Sequence, residues 1–195
     1  MKKTLIYFID DIEAEASLLE RALKDEIENY LREKNLYEVK KTVIDKGTFD
    51  CDMFSSALID KIPDWKNQYE KVKILVDLCL VEKVFVNNPS GVRLAEAIDN
   101  KAFDYADYLY IYMVTNKVLG GSDYDTSIDT MLKSKLKNVK YMGILEKPIY
   151  YDNDGPHLTG KLTSTTRYID IIPEEYRQRK DYLAFIYAIL KGEKK

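Results

Sequence analysis

"TLIYFIDDIEAEASLLERAL", residues 4–23, joins an apolar run to two adjacent aspartates, Asp10 and Asp11, and then to a helix pattern without a gap. The run "TLIYFI" (4–9) lacks the polar alternation of a half-solvated strand, so it reads as a strand covered on both faces. After the aspartates, Ile12, Ala16, Leu19, Leu23, Ile27 and Tyr30 recur in steps of four and three, one face of a helix through about Leu31. A buried strand therefore delivers two carboxylates, side by side, to its own end.

The same strand-then-helix grammar continues. "LYEVKKTVI" (36–44) is a more polar strand, suited to a sheet edge, and "DMFSSALIDKI" (52–62) is a short helix stopped by Pro63. "KVKILVDLCL" (71–80) is the second strongly apolar strand, and "PSGVRLAEAIDN" (89–100) is a helix with a Ser-Gly start. "YLYIYMVT" (108–115) is the third such strand; its tyrosines are read as packing groups whose hydroxyls reach the rim. "TSIDTMLKSKL" (126–136) is a helix with Thr126 as N-cap, and "KYMGILEKPI" (140–149) is the last core strand. Strands alternating with helices predict an α/β fold, a doubly wound parallel sheet with helices on both faces. Right-handed crossovers bring every strand's C-terminal end to one rim, where ligands of such folds sit.

Composition sets the limits. The chain has 195 residues, 46% hydrophobic and 32% charged, with a formal net charge of −3. That is the length of one domain with a substantial core, and no basic field draws it to nucleic acid or an anionic membrane. No apolar run approaches the roughly 18 residues of a membrane span. "MKKTLIYFIDD" has a basic, signal-like start, but its apolar stretch is short and ends in acid, so it is read as strand and not as a signal peptide. Cys51, Cys79 and the single histidine, His157, form no zinc-type set, and free thiols point to a reducing cytoplasm.

The strand ends carry Asp10 and Asp11, then Asp77, then Thr115, then Lys147 before Pro148. Each alone has a bland reading as cap, turn or solvated charge. Together, at the ends of four strands in this order, they suit phosphoryl transfer to a carboxylate. An aspartate can attack phosphorus and form an acyl phosphate. The spread charge of the transition state then calls for a divalent cation held by neighbouring carboxylates. Without a metal, unit charges ~4 Å apart repel by ~4 kcal/mol at an effective dielectric of ~20. Lys147 supplies a fixed positive charge and Thr115 a rotatable hydroxyl.

Through "FIDDIEA", "LVDLCL", "PSGVRLAEAI", "YMVT" and "EKPI", residues 4–149, the chain resembles a response-regulator receiver domain. The resemblance implies a flavodoxin-like five-stranded parallel sheet of order 2-1-3-4-5. It implies Asp77 as phosphoacceptor, Asp10, Asp11 and Asp77 around Mg²⁺ with the carbonyl of Cys79 as a further ligand, Thr115 as the switch hydroxyl and Lys147 as the phosphate-binding lysine. Gly91 matches the glycine at the start of the family's third helix.

Departures accompany the match. "VEKVFVNNP" lengthens the loop of residues 78–90, Asn116 follows Thr115 where a small residue is usual, and Ile144 replaces the aromatic switch residue. After Pro148 a hairpin-like or irregular insertion (149–172) precedes a C-terminal helix (173–191), with Leu183, Ile186, Tyr187 and Leu190 as its apolar stripe and Gly192 as its stop. "DNDG" in that insertion is read as a turn, and not as a calcium loop.

The expectation is one receiver-like domain over residues 1–195, a stand-alone cytoplasmic module. It would be phosphorylated on Asp77 with Mg²⁺ by a histidine kinase or phosphotransfer protein, in two-component or phosphorelay signalling. Its only chemistry would be self-phosphorylation and self-dephosphorylation. A protein target would lie downstream, reached through an output surface that includes the insertion, with homodimerisation left open and no direct role for nucleic acid or membrane. The alternatives are a non-phosphorylated receiver-like interaction or scaffold module, and a Mg²⁺-dependent phosphohydrolase with an aspartate nucleophile. The latter wants a second acid two residues after the nucleophile, where this chain has Cys79.

Overall fold

Every apolar run expected as a core strand forms one. The computed structural model describes residues 2–82, 86–115, 122–158 and 182–192. Strands β1 (Lys3–Asp10), β2 (Tyr37–Val43), β3 (Tyr69–Asp77), β4 (Leu109–Thr115) and β5 (Lys140–Glu146) pair in parallel, in the order β2-β1-β3-β4-β5. This is the flavodoxin-like arrangement, with strand order reversing beside β1 and β3.

The period of two along each strand divides the apolar residues between two cores. Leu5, Tyr7, Ile9, Ile74, Val76, Ile111 and Met113 face one side. There they meet α2 (Cys51–Ile59), α3 (Ile62–Gln68), α4 (Ser90–Lys101) and α5 (Ser122–Lys135). Ile6, Phe8, Leu75, Tyr112 and Val114 face the other side, covered by α1 (Glu13–Asp25) and α6 (Tyr182–Lys191). A single π-helical turn, Glu26–Tyr30, extends α1 to the length its periodicity predicts. Among the described residues no helix is long and apolar enough to cross a membrane.

Several local expectations change. Pro63 does not merely stop a helix over 52–62; it opens a second one, α3, at whose first positions its missing N–H costs nothing. Helix α5 begins at Ser122, so Thr126 lies inside it and not at its cap. The insertion begins as a true hairpin, β6 (Ile149–Asp152) and β7 (Gly155–Leu158), turned at Gly155 with φ +117. Residues 159–172 of the insertion, the 173–181 part of the final helix, Asn116, and 83–85 of the long loop lie outside the described residues.

Helix α6 is not a striped surface helix. Ala184 through Leu190 are all buried, whereas Leu183 is partly exposed. Its C-terminal carbonyls end against the sheet, where the Lys73 amine donates to the carbonyls of Ile189 (2.6 Å) and Leu190 (3.1 Å). A buried lysine, an unlikely strand residue by hydropathy, thus meets the negative end of a helix. The Tyr112 hydroxyl donates to the Gly192 carbonyl (3.0 Å), and Tyr110 accepts from Lys140. The strand-β4 tyrosines therefore bond to the end of α6 and the start of β5, and not at the rim. Gly192 caps α6 as expected, its amide donating to Tyr187 and Ala188.

Gly91 fixes how closely α4 starts against β3. A Cβ at this position would lie 2.0 Å from the Asp77 carbonyl oxygen and 2.9 Å from that of Leu78. The Gly91 amide donates to the Leu78 carbonyl at 3.1 Å. Gly91→Ala is expected to push α4 away from the end of β3 and lower stability by about 3 kcal/mol. Urea unfolding of the variant checks this; an unchanged midpoint would contradict the close approach.

Candidate functional site at the C-terminal rim

The strand ends do converge. Asp10 closes β1, Asp77 closes β3, Thr115 closes β4, and Lys147 follows the last residue of β5. The Lys147 backbone amide donates to the Thr115 carbonyl (2.7 Å), which extends the β4–β5 ladder by one bond and aims the lysine inward. Thr115 is buried.

The Lys147 amine is the hub. It lies 2.6 Å from Asp77 Oδ1, 2.7 Å from Asp10 Oδ2 and 2.9 Å from Glu15 Oε2. Its side chain is 1% exposed, and those of the three carboxylates are 8%, 1% and 0% exposed. The second oxygens of two aspartates hold the local backbone: Asp10 Oδ1 accepts from the Ile12 amide (3.0 Å) and Asp77 Oδ2 from the Cys79 amide (2.9 Å). Asp11 pairs with Lys46 at the border of the cluster, near enough to Asp77 and Lys147 to feel their charges. The Cys79 amide donates to Asp77, and the Cys79 side chain packs against the core. Ile144, at the aromatic switch position, is buried in that core.

Burial would push the Lys147 amine down, but Asp77, Asp10 and Glu15 outweigh it and hold it well above the ordinary lysine range. Burial raises the Asp10 carboxyl to about 6, opposed by Lys147 and helped by repulsion from Asp77. Burial also raises Asp11, with its bond to Lys46 opposing.

Glu15 and Tyr151 were not among the residues expected here. Glu15, in the first turn of α1, accepts from Lys147 with one oxygen and from the Tyr151 hydroxyl with the other. The available signal was a glutamate directly beside Ala16 on the buried stripe of α1, a place where a charge needs a partner. Tyr151 sits on β6 and carries the network into the hairpin. There the Tyr150 ring stacks on His157 at 5.5 Å, and His157 lies 2.8 Å from Asp152. His157 is thus a hairpin residue, away from the lysine cluster.

A magnesium ion does not fit this donor set. The carboxylates that face one another are bridged by an ammonium, and Asp11 is turned to Lys46. Among the described residues no three His, Cys, Asp or Glu side chains are grouped to hold a metal.

No family model and no curated protein matches the chain. Solved structures do. An NADH:FMN oxidoreductase in its apo form is similar at 12% identity and a TM-score of 0.41, over 74% of this chain and 75% of that one. An azoreductase from Bacillus anthracis is similar at 11% identity and a TM-score of 0.38, over 75% of this chain and 87% of that one. Likeness at this level speaks of fold and assigns this chain no chemistry.

Neither of these structures is a response regulator, and both are enzymes. The expectation of a stand-alone receiver phosphorylated on Asp77 in two-component or phosphorelay signalling is corrected at the rim, where Lys147 and the Cys79 amide engage both Asp77 carboxylate oxygens. The expectation that its only chemistry is self-phosphorylation and self-dephosphorylation is corrected with it, since the acceptor oxygens are taken up by the ion cluster. The Mg²⁺ cofactor falls with them, and the physical reason lies in the rim itself: an amine stands where the metal half-shell was expected.

Two outcomes follow from the cluster. The folded Asp10 carboxyl, at about 6, binds its proton more tightly than the unfolded one near 3.8. Its contribution to stability is therefore full below pH ~4 and is lost as pH rises through ~6, by an amount on the order of 3 kcal/mol. Asp10→Asn should flatten that part of a stability-versus-pH curve measured by urea unfolding; an unaltered slope would place the titration elsewhere. Lys147→Met leaves three buried carboxylates without their cation and is expected to lower stability by about 3–5 kcal/mol at pH 7. Thermal melts of the purified variant check it.

Proposed function

We propose that the rim cluster works as a charge latch on the β6–β7 hairpin, and that the hairpin surface meets a protein partner. The observation that carries this reading is the buried lysine amine shared by Asp10, Asp77 and Glu15, with Glu15 passing the contact to Tyr151. The residues singled out at the strand ends keep their importance, but as parts of this latch: Asp10, Asp77 and Lys147 form it, and the Thr115 carbonyl orients Lys147.

Three features support it. The latch joins β1, β3, β5 and α1 to the hairpin, so any change in its charge acts on all of them at once. The hairpin carries exposed aromatic surface, with Tyr150 49% and Tyr151 53% exposed. Such surface beside a polar network is suited to a protein contact. The turn after β1 bears Asp10, Asp11, Glu13 and Glu15, which repel an anionic ligand group where such folds usually offer donors.

A photo-crosslinking residue at Tyr150 tests the reading in cells. A discrete protein adduct is expected, and it should fade when Glu15→Gln and Tyr151→Phe release the hairpin, while the variant remains folded. An adduct indifferent to the latch, or a flavin that copurifies with the chain and is seen by its visible absorbance, would overturn the proposal.

A further inference from the structure

A second surface lies across the sheet edge from any role of the rim. Strand β2 ends the sheet, and among the described residues no further strand pairs with it. Its outer side forms the base of a groove of about 770 Å³ between α1 and α3. Six lysines and three glutamates line that groove, in a chain whose net charge is −3. Between the charges are apolar and aromatic groups: Ile27, Tyr37, Val39 and Trp65. Trp65 is the chain's only tryptophan.

The backbone is set for pairing. The Leu36 carbonyl accepts from the Thr4 amide, the Ile44 amide donates to the Asp10 carbonyl, and the register between β1 and β2 is continuous. In a parallel ladder alternate residues turn both backbone groups toward the same neighbour. The even-numbered residues of β2 therefore face β1. The N–H and C=O groups of Tyr37, Val39, Lys41 and Val43 face out into the groove.

We infer that this edge accepts an acidic, extended segment of a partner protein as an added strand. An added strand satisfies the outward backbone groups, and its carboxylates meet the lysine excess. Lys40 pairs with Glu38 and Lys41 with Glu13 and Glu20, but the lining as a whole stays positive, six lysines against three glutamates, which disfavours a second copy of the same edge and selects an acidic occupant.

The inference stands apart from the rim latch and is tested without it. The probe is a fluorescein-labelled nonapeptide of alternating glutamate and valine, followed by anisotropy and by Trp65 emission. Saturable binding with a shift of Trp65 emission is expected. Lys40→Glu combined with Lys41→Glu should weaken it about tenfold or more. Val39→Pro should weaken it too while leaving the sheet folded, because the lost N–H faces outward at an edge. Should that variant fail to fold, the double lysine variant decides alone. Absence of binding, equal binding of the lysine-valine counterpart, or a stronger response to single-stranded DNA than to the peptide would overturn the inference.

Discussion

One ammonium group organises the rim. Lys147 is nearly inaccessible to water and has three carboxylates within hydrogen-bonding distance. Neither sign of charge is tolerable there alone: an unpaired ion in such surroundings loses several kcal/mol of hydration. The cation and anions are therefore mutually obligatory, and each is delivered by a different element. The end of β1, the end of β3, the chain after β5 and the first turn of α1 must all be in place before the cluster is complete. The β4–β5 ladder bond to Thr115 and the close start of α4 at Gly91 hold the strand ends in the register this requires.

Hydrophobic periodicity made the sheet legible. Strands buried on both faces show as unbroken apolar runs, and the intervening helices as steps of three and four. The strand order, by contrast, came from resemblance and was then met by the structure. The meeting of Asp10, Asp77 and Lys147 was legible because parallel topology gathers strand ends. Glu15 and Tyr151 were not, since their roles depend on a side chain turning inward from α1 and on where a hairpin folds back. Pro63 shows a similar limit: the same residue that ends one helix can begin the next, and only the chain direction after Asp60 decides.

The function was the least legible layer. Aspartates, threonine and lysine at successive strand ends can serve several chemistries on one fold. A carboxylate pair is a metal half-shell when it is open, and part of an ion cluster when an amine fills it. The difference is a few ångströms of side-chain placement, which the spacing of residues along the chain does not encode.

Lys73 has a consequence for the order in which the molecule can form. Its amine lies at the centre of the sheet, yet its carbonyl partners at Ile189 and Leu190 come 116 and 117 residues later. During synthesis the five strands leave the ribosome well before those partners do. Until then, two of the carbonyl acceptors that hold the Lys73 amine inside the sheet are absent, and burying that charge costs more. The buried side of β3 is therefore completed last, by α6. Folding of this chain is coupled to the arrival of its C-terminal helix, and a nascent chain lacking that helix is a natural client for factors that bind exposed sheet faces.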